Sequence, residues 1–314
     1  MEMSAGTNNK MNIVNTGKTD AGGTNAGMTS TGKTNAGTTS TGKTNAGKTD
    51  AGKTNTGMNS KINVLVVFIK KEIIEHWRSY RIIVLLSVLL LFGMSSPLIA
   101  KLVPVIFESI DMGIEINIPE PTFIDSYTQF FKNMTQVCLI VVILVFSGSI
   151  TREKSRGTAM LLLSKGLSRT TFIISKFIAQ VLIWTVSYAA AAAVFYGYTG
   201  YLFPGHKPQN FAVSMLSLWL FVVFLFSLSD LASLVGNAFY VPVVITFGAL
   251  ALMLAISAVP KAMRYLPIAL SSWNVEMIQG IKNVPDIILP ASITVVLTIL
   301  FVVSTIMVFS KQEL

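Results

Sequence analysis

The sequence predicts an all-α membrane protein with six transmembrane helices, and three observations carry that reading. Mean hydropathy is +0.63, and only 12% of the residues are charged, a balance foreign to soluble domains. Six apolar runs each approach or exceed the roughly 20 residues that cross the hydrocarbon. Lysine and arginine crowd between certain runs, as they do in loops that stay cytoplasmic. An isoelectric point near 9.6 would suggest nucleic acid as the partner of a soluble chain. Here the bases flank apolar spans, so orientation in the bilayer accounts for them. Membrane lipids, not nucleic acid, are the expected surroundings.

The chain divides into a tail, 1–60, and a membrane domain, 61–314. The tail carries a pentapeptide repeat, nine units from Asn15 to Asn59 such as NAGKT and STGKT. Without an aliphatic core nothing compensates the entropy of ordering, so a disordered cytoplasmic tail is expected. The five-residue period also generates the phosphate-binding pattern GxxxxGK[ST] four times, from Gly27, Gly37, Gly42 and Gly47. A working phosphate loop needs a buried strand before it and a helix after it. Neither is predicted, and no nucleotide is expected there.

From Lys61 to Tyr80, Ile62, Val66, Ile69, Ile73 and Trp77 recur at helical spacing, while Lys70, Lys71, Glu75 and Arg78 fall largely off that stripe. The pattern predicts an amphipathic interfacial helix with Trp77 at the headgroups. The spans follow at 82–100, 134–150, 172–199, 211–235, 241–259 and 287–309, the first ended by Pro97 and Lys101. Outside the tail, twelve Lys and Arg fall on the side of both termini and the 149–176 loop, and six on the other. That bias predicts a multi-pass protein of the cell membrane with N- and C-termini cytoplasmic. Of the longer external segments, 101–133 holds Glu108, Asp111, Glu115, Glu120 and Asp125, with prolines breaking regular structure. Residues 260–290 are semi-apolar and bracketed by prolines, as suits short helices dipping into the outer leaflet.

Groups for catalysis are scarce. His76 and His206 fall outside the spans, and His76 is followed by Trp-Arg-Ser-Tyr rather than by the rest of a zinc protease's HExxH. Cys138 is the single cysteine and reads as a small buried hydrophobe. No catalytic residue, metal ligand or cofactor site is expected on this chain. Asp230 is the one acid well inside a span. Such a costly position points either to the translocation path or to a packing network with Ser227 and Ser229. Ala189, Ala193 and Gly197 form a small-residue ridge on the third span, expected to pack within the bundle.

The most informative stretch is SITREKSRGTAMLLLSKGLSRTTFIISK, Ser149 to Lys176. Arg152, Lys154, Arg156, Lys165, Arg169 and Lys176 surround one acid, Glu153. Thr158–Ser164 reads as a short helix with an apolar patch at Met160–Leu163, stopped by Gly166, with Ser168 capping the helix that follows. A greasy helix in a basic loop needs a partner to cover it.

The order Arg152-Glu153-Lys154, Gly157-Thr158, Leu161-Leu162-Leu163 and Ser168-Arg169 resembles the first cytoplasmic loop of ABC-2-type transporter permeases. Gly166 stands where that family usually carries proline. The resemblance covers residues 61–314 and implies the membrane permease subunit of an ATP-binding cassette exporter, a transport subunit rather than an enzyme. It implies a second permease protomer, identical or not, and two copies of a cytoplasmic ATPase subunit that holds ATP and Mg²⁺. By the same resemblance Thr158–Ser164 is a coupling helix against that ATPase. The coupling loop is then formed by Arg152, Glu153, Gly157, Thr158, Leu161, Leu162, Leu163 and Arg169. The competing reading, an ion-coupled secondary transporter or channel, rests on Asp230 alone.

Overall fold

In hydrocarbon each unpaired backbone N–H or C=O costs several kcal/mol, so apolar runs of this length close their hydrogen bonds internally. The computed structural model describes residues 51–109 and 120–312, with side chains over 62–103 and 120–312, and among them every regular element is helical. The expected tail up to residue 50 lies outside the described residues, as do the loop acids Asp111 and Glu115.

Helix α1 (Ala51–Arg78) contains the expected interfacial helix but starts ahead of Lys61. After a turn at Ser79 and Tyr80, α2 (Arg81–Ser109) does not stop at Pro97 or Lys101. Ending a helix inside lipid strands carbonyls, whereas a proline is tolerated where side chains serve the freed groups. The Ser96 hydroxyl adds a bond to the Phe92 carbonyl, which lies one turn before the proline.

The second span is longer than 134–150, running from Phe123 to Ser155. It joins α3 (Phe123–Asn133), a π-helical turn (Met134–Cys138), α4 (Leu139–Phe146) and α5 (Ser149–Ser155). The expected irregular segment before it is therefore helical near both ends. Thr122 caps α3, its backbone N–H donating to Asp125 Oδ2 at 2.8 Å. Hydropathy misses α3 because the helix is amphipathic: Tyr127, Phe130 and Phe131 are buried while Thr128 and Lys132 are exposed.

The remaining elements are α6 (Thr158–Ser164), α7 (Arg169–Leu202), α8 (Phe211–Ala232) and α9 (Tyr240–Ser257). Three short helices then precede the last span: α10 (Pro260–Met263), α11 (Ala269–Ser272) and α12 (Asn274–Ile278), followed by α13 (Val284–Lys311). Six helical stretches are long and apolar enough to cross a membrane.

α8 and the second span form the centre, with α13 along α8 and α2 along α7. Only 11% of the apolar window of α9 is buried, against 61% for α8, so α9 is peripheral. Aromatic rings fill the middle: Phe130 stacks on Phe195 at 4.0 Å and Tyr127 meets the same ring edge-on at 4.9 Å. The close contact between spans uses Gly93, where a Cβ would stand 3.0 Å from the Ala191 carbonyl. The expected ridge Ala189, Ala193 and Gly197 is instead exposed. The buried face of α7, nearly opposite that ridge, carries Trp184, Tyr188, Ala191 and Phe195.

Candidate functional site: an ion-paired loop at one end of the bundle

The 149–176 stretch folds as two helical turns separated by a left-handed residue. Gly157, at φ +70°, ends α5 and starts α6, and open space surrounds the position of a Cβ. Its conformation rather than crowding is what asks for glycine. Gly148, at φ +73°, breaks α4 from α5, and there a Cβ would also meet the Phe239 ring at 2.9 Å. Gly166 ends α6 at φ +93°, and the Ser168 hydroxyl accepts from the Thr171 N–H at 3.1 Å, capping α7. Both stop and cap match the sequence reading.

Four consecutive apolar residues on α6 cannot share one face. Leu162 and Leu163 are half-buried against Ile150, Leu167, Phe172 and Phe309. Met160 and Leu161 are 52% and 62% exposed, so they form the uncovered tip. Thr158 ties α6 back to α5 by donating to the Glu153 carbonyl at 3.1 Å.

The charges of this loop converge inward. Glu153 on α5 accepts from Lys176 Nζ at 2.7 Å and from Lys71 Nζ at 2.8 Å. Lys176 also reaches Glu72 at 2.9 Å, and Lys71 also reaches Glu72 and Glu75, each at 2.8 Å. The Lys176 side chain is 1% exposed and Glu72 3%. Glu72, Glu75 and Glu153 lie close enough to hold a cation. The Lys71 ammonium occupies that place by contacting all three. Burial lowers the affinity of Lys71 for its proton, and the surrounding carboxylates, Glu72 foremost, overcome this and hold it above the ordinary lysine range. Glu75 shifts the other way: burial would raise it, but the hydrogen bond and charge of Lys71 hold it below the usual carboxylate range. His76, on the same helix, is pushed down to about 4 by burial and then by the nearby charges of Arg81 and Lys176.

The other bases lash the loop to the remaining spans. Arg152 lies 4.9 Å over the Phe239 ring in the α8–α9 connection and donates to the Ser147 carbonyl at 3.3 Å. Arg169 donates to the carbonyls of Phe309, Ser310 and Gln312 at 2.8, 2.9 and 2.8 Å. Those carbonyls end α13, where a cation is favoured by the helix dipole. Lys154 donates to the Gln312 side chain at 3.2 Å, which in turn donates to the Leu234 carbonyl. Between α1 and the α5–α6 pair opens a cleft of about 760 Å³, lined by Ile74, Arg78, Arg156, Leu161 and Lys165 among others.

All the residues singled out on the loop thus meet at one end of the bundle. Asp230 does not join them: it is 3% exposed and accepts from Gln180 at 3.1 Å. The two serines expected beside it bond elsewhere, Ser229 with Ser147 and Ser227 with the Phe224 carbonyl. Sequence reasoning missed Lys71 and Lys176 as the partners of Glu153, and Glu72 as the acid that shares both. A signal existed, since Lys176 and Gln180 fall on the buried stripe of α7 with Phe172, Ala179 and Ile183. Polar side chains on such a stripe require partners.

Residues 66–314 match the family described as ABC-2 family transporter protein. The chain is also similar to the uncharacterized transmembrane protein YxlG of Bacillus subtilis (strain 168). The two are 24% identical over 210 residues, which is 66% of this chain and 81% of the relative. With six spanning helices and a family match over most of its length, this chain belongs to the ABC-2 transporter family and is a multi-pass membrane protein of the permease kind.

Proposed function

We infer that this protein is the membrane subunit of an ATP-driven exporter, with α6 as its contact to a separate ATPase. The observation that carries the reading is the exposed Met160–Leu161 tip on an element ion-paired to α1 and α7 through Glu153. Apolar side chains left in water cost about 1.5–3 kcal/mol each relative to burial. A protein groove that covers them is the economical explanation. Arg78 and Arg156 beside the tip, with no carboxylate of the described residues within ion-pair distance, favour an acidic rim on that groove.

ATP and Mg²⁺ belong to the ATPase, two copies of which would serve a pair of permease protomers. Closure of the ATPase pair pulls on α6. Because Glu153, Arg152 and Arg169 connect the loop to α1, α7, the α8–α9 connection and α13, a displacement of α6 reaches most spans at once. ATP drives the change only insofar as these contacts differ between the two states. The positive-inside bias supports a cytoplasmic position for both chain ends and this loop. Asp230, held by Gln180 and lining none of the clefts described, fits packing better than the path.

Co-purification of a separate ATPase with this chain from native membranes tests the reading. Leu161→Asp is expected to abolish ATPase stimulation and transport while the protein still inserts. Wild-type stimulation by that variant would remove α6 from the contact.

A further inference from the structure

At the end of the bundle away from the ion-paired loop, a cleft of about 500 Å³ opens between the second span, α9 and the short helices α11–α12. That volume lies within the range of sites for drug-sized ligands, and such sites combine an apolar body with few convergent polar groups. Its wall is apolar, from Phe131, Leu139, Phe221, Leu250, Leu254 and Ile268. Along one edge run Thr128, Lys132 and Gln136 at four-residue spacing on a single helix face.

The hydroxyl of Thr128 is already used on the Ile124 carbonyl. Lys132 is different: it is exposed, and no carboxylate of the described residues lies within ion-pair distance of it. Among the described residues no carboxylate lines the cleft either, and Lys132 is their one formal charge there. The π-helical turn Met134–Cys138 falls where this stripe enters the apolar wall. Such turns recur at functional sites because the extra residue re-aims the side chains around it. Here they include Thr135 and Gln136, both lining the cleft. On the far side Ser271 and Ser272 line the cleft, their hydroxyls, like that of Thr128, spent on a backbone carbonyl, that of Ile268.

We propose that this cleft binds an anionic amphiphile, with its phosphate or carboxylate head against Lys132 and Gln136 and its hydrocarbon along Phe131, Leu139, Leu250 and Leu254. This names the substrate class of the exporter inferred above and rests on that reading. A neutral apolar solute would leave the ammonium unpaired, and a soluble anion would leave the wall uncovered. An anionic amphiphile answers both. The head can belong to a bilayer phospholipid or to a free amphiphile, since the recognising chemistry is shared.

The test uses the full chain in phosphatidylcholine nanodiscs without any ATPase, with dodecyl phosphate as probe and dodecyl maltoside as the uncharged comparison. Dodecyl phosphate is expected to bind saturably and more weakly as salt rises. Lys132→Gln should lower its affinity about tenfold, the loss of one charge-assisted contact, and leave dodecyl maltoside unchanged. Leu254→Trp, which fills the cleft, should reduce both while the thermal melt stays near wild type. Displacement of the probe when phosphatidylglycerol replaces part of the lipid identifies a bilayer phospholipid as the source. Persistence of binding there identifies a free amphiphile. Equal affinity of wild type and Lys132→Gln for dodecyl phosphate would overturn the proposal. So would cross-linking of Gln136 to a second copy of the chain with no amphiphile bound. ATPase recruitment through α6 is measured separately, so either result can fail while the other stands.

Discussion

Lys176 keeps its ammonium away from water and within 3 Å of two carboxylates. Removing one member of such a buried cluster strands the others, a loss on the order of 3–5 kcal/mol. Lys176→Ala should therefore melt far below wild type in detergent, and Lys176→Met combined with Glu72→Gln should recover part of the loss. A single Lys176→Ala that melts like wild type would show that the cluster does not hold α1 to the bundle. His76 makes a separate prediction. Its folded value of about 4 lies below the ordinary 6.5, so the folded state binds that proton less readily than the unfolded chain. The stability it contributes is complete above about pH 6.5 and is lost as pH falls toward 4. Glu75, itself held low, acts only below the ordinary carboxylate range, so pH 6.5 to 5 isolates the histidine. Intrinsic-rate-corrected amide exchange around residue 76 should rise across that window in wild type and stay flat in His76→Phe.

α6 was legible residue for residue, because Gly157, Gly166 and Ser168 are local signals that no distant contact contradicts. Which of its leucines faces outward was not, since that depends on where Phe172 and Phe309 pack from elsewhere in the chain. The two classes of leucine should separate experimentally. Leu163→Asp is expected to lower the melting temperature, whereas Leu161→Asp should leave the melt unchanged and remove only partner binding. Gly157→Val meets no steric obstacle, but its φ of +70° costs a branched residue about 1–2 kcal/mol or more. It should therefore fold and couple poorly, with Gly157→Asn intermediate, as read by ATPase stimulation. The errors over α2 and α3 share one cause. Proline as a helix terminator and hydropathy as a span detector both assume a uniform surrounding. α2 continues through Pro97 in an apolar solvent, and α3 hides its buried face behind Lys132 and Thr128.

For the molecule as a whole, six crossings and their order could be read from hydropathy, because twenty apolar residues have few alternatives in a bilayer. The neighbour relations, α2 with α7 and α13 with α8, could not, since one amphipathic stripe does not name its partner. The peripheral α9, with Val244 and Leu252 exposed at 63% and 62%, has surface left for a second protomer. A Leu252→Cys variant in a Cys138→Ser background should form an intermolecular disulfide in native membranes. Monomeric migration after oxidation at every exposed α9 position would place the protomer contact elsewhere.

The ion cluster also dictates a schedule. Glu72 and its partner Lys176 are separated by 104 positions, and translation proceeds at roughly 5–20 residues per second. For about 5–20 s after α1 leaves the ribosome its acid has no buried counter-charge to meet. During that interval the helix has only the bilayer surface to rest on. Docking must wait until the first two spans are threaded and the third has begun, so α1 settles only after two spans made later than itself have crossed.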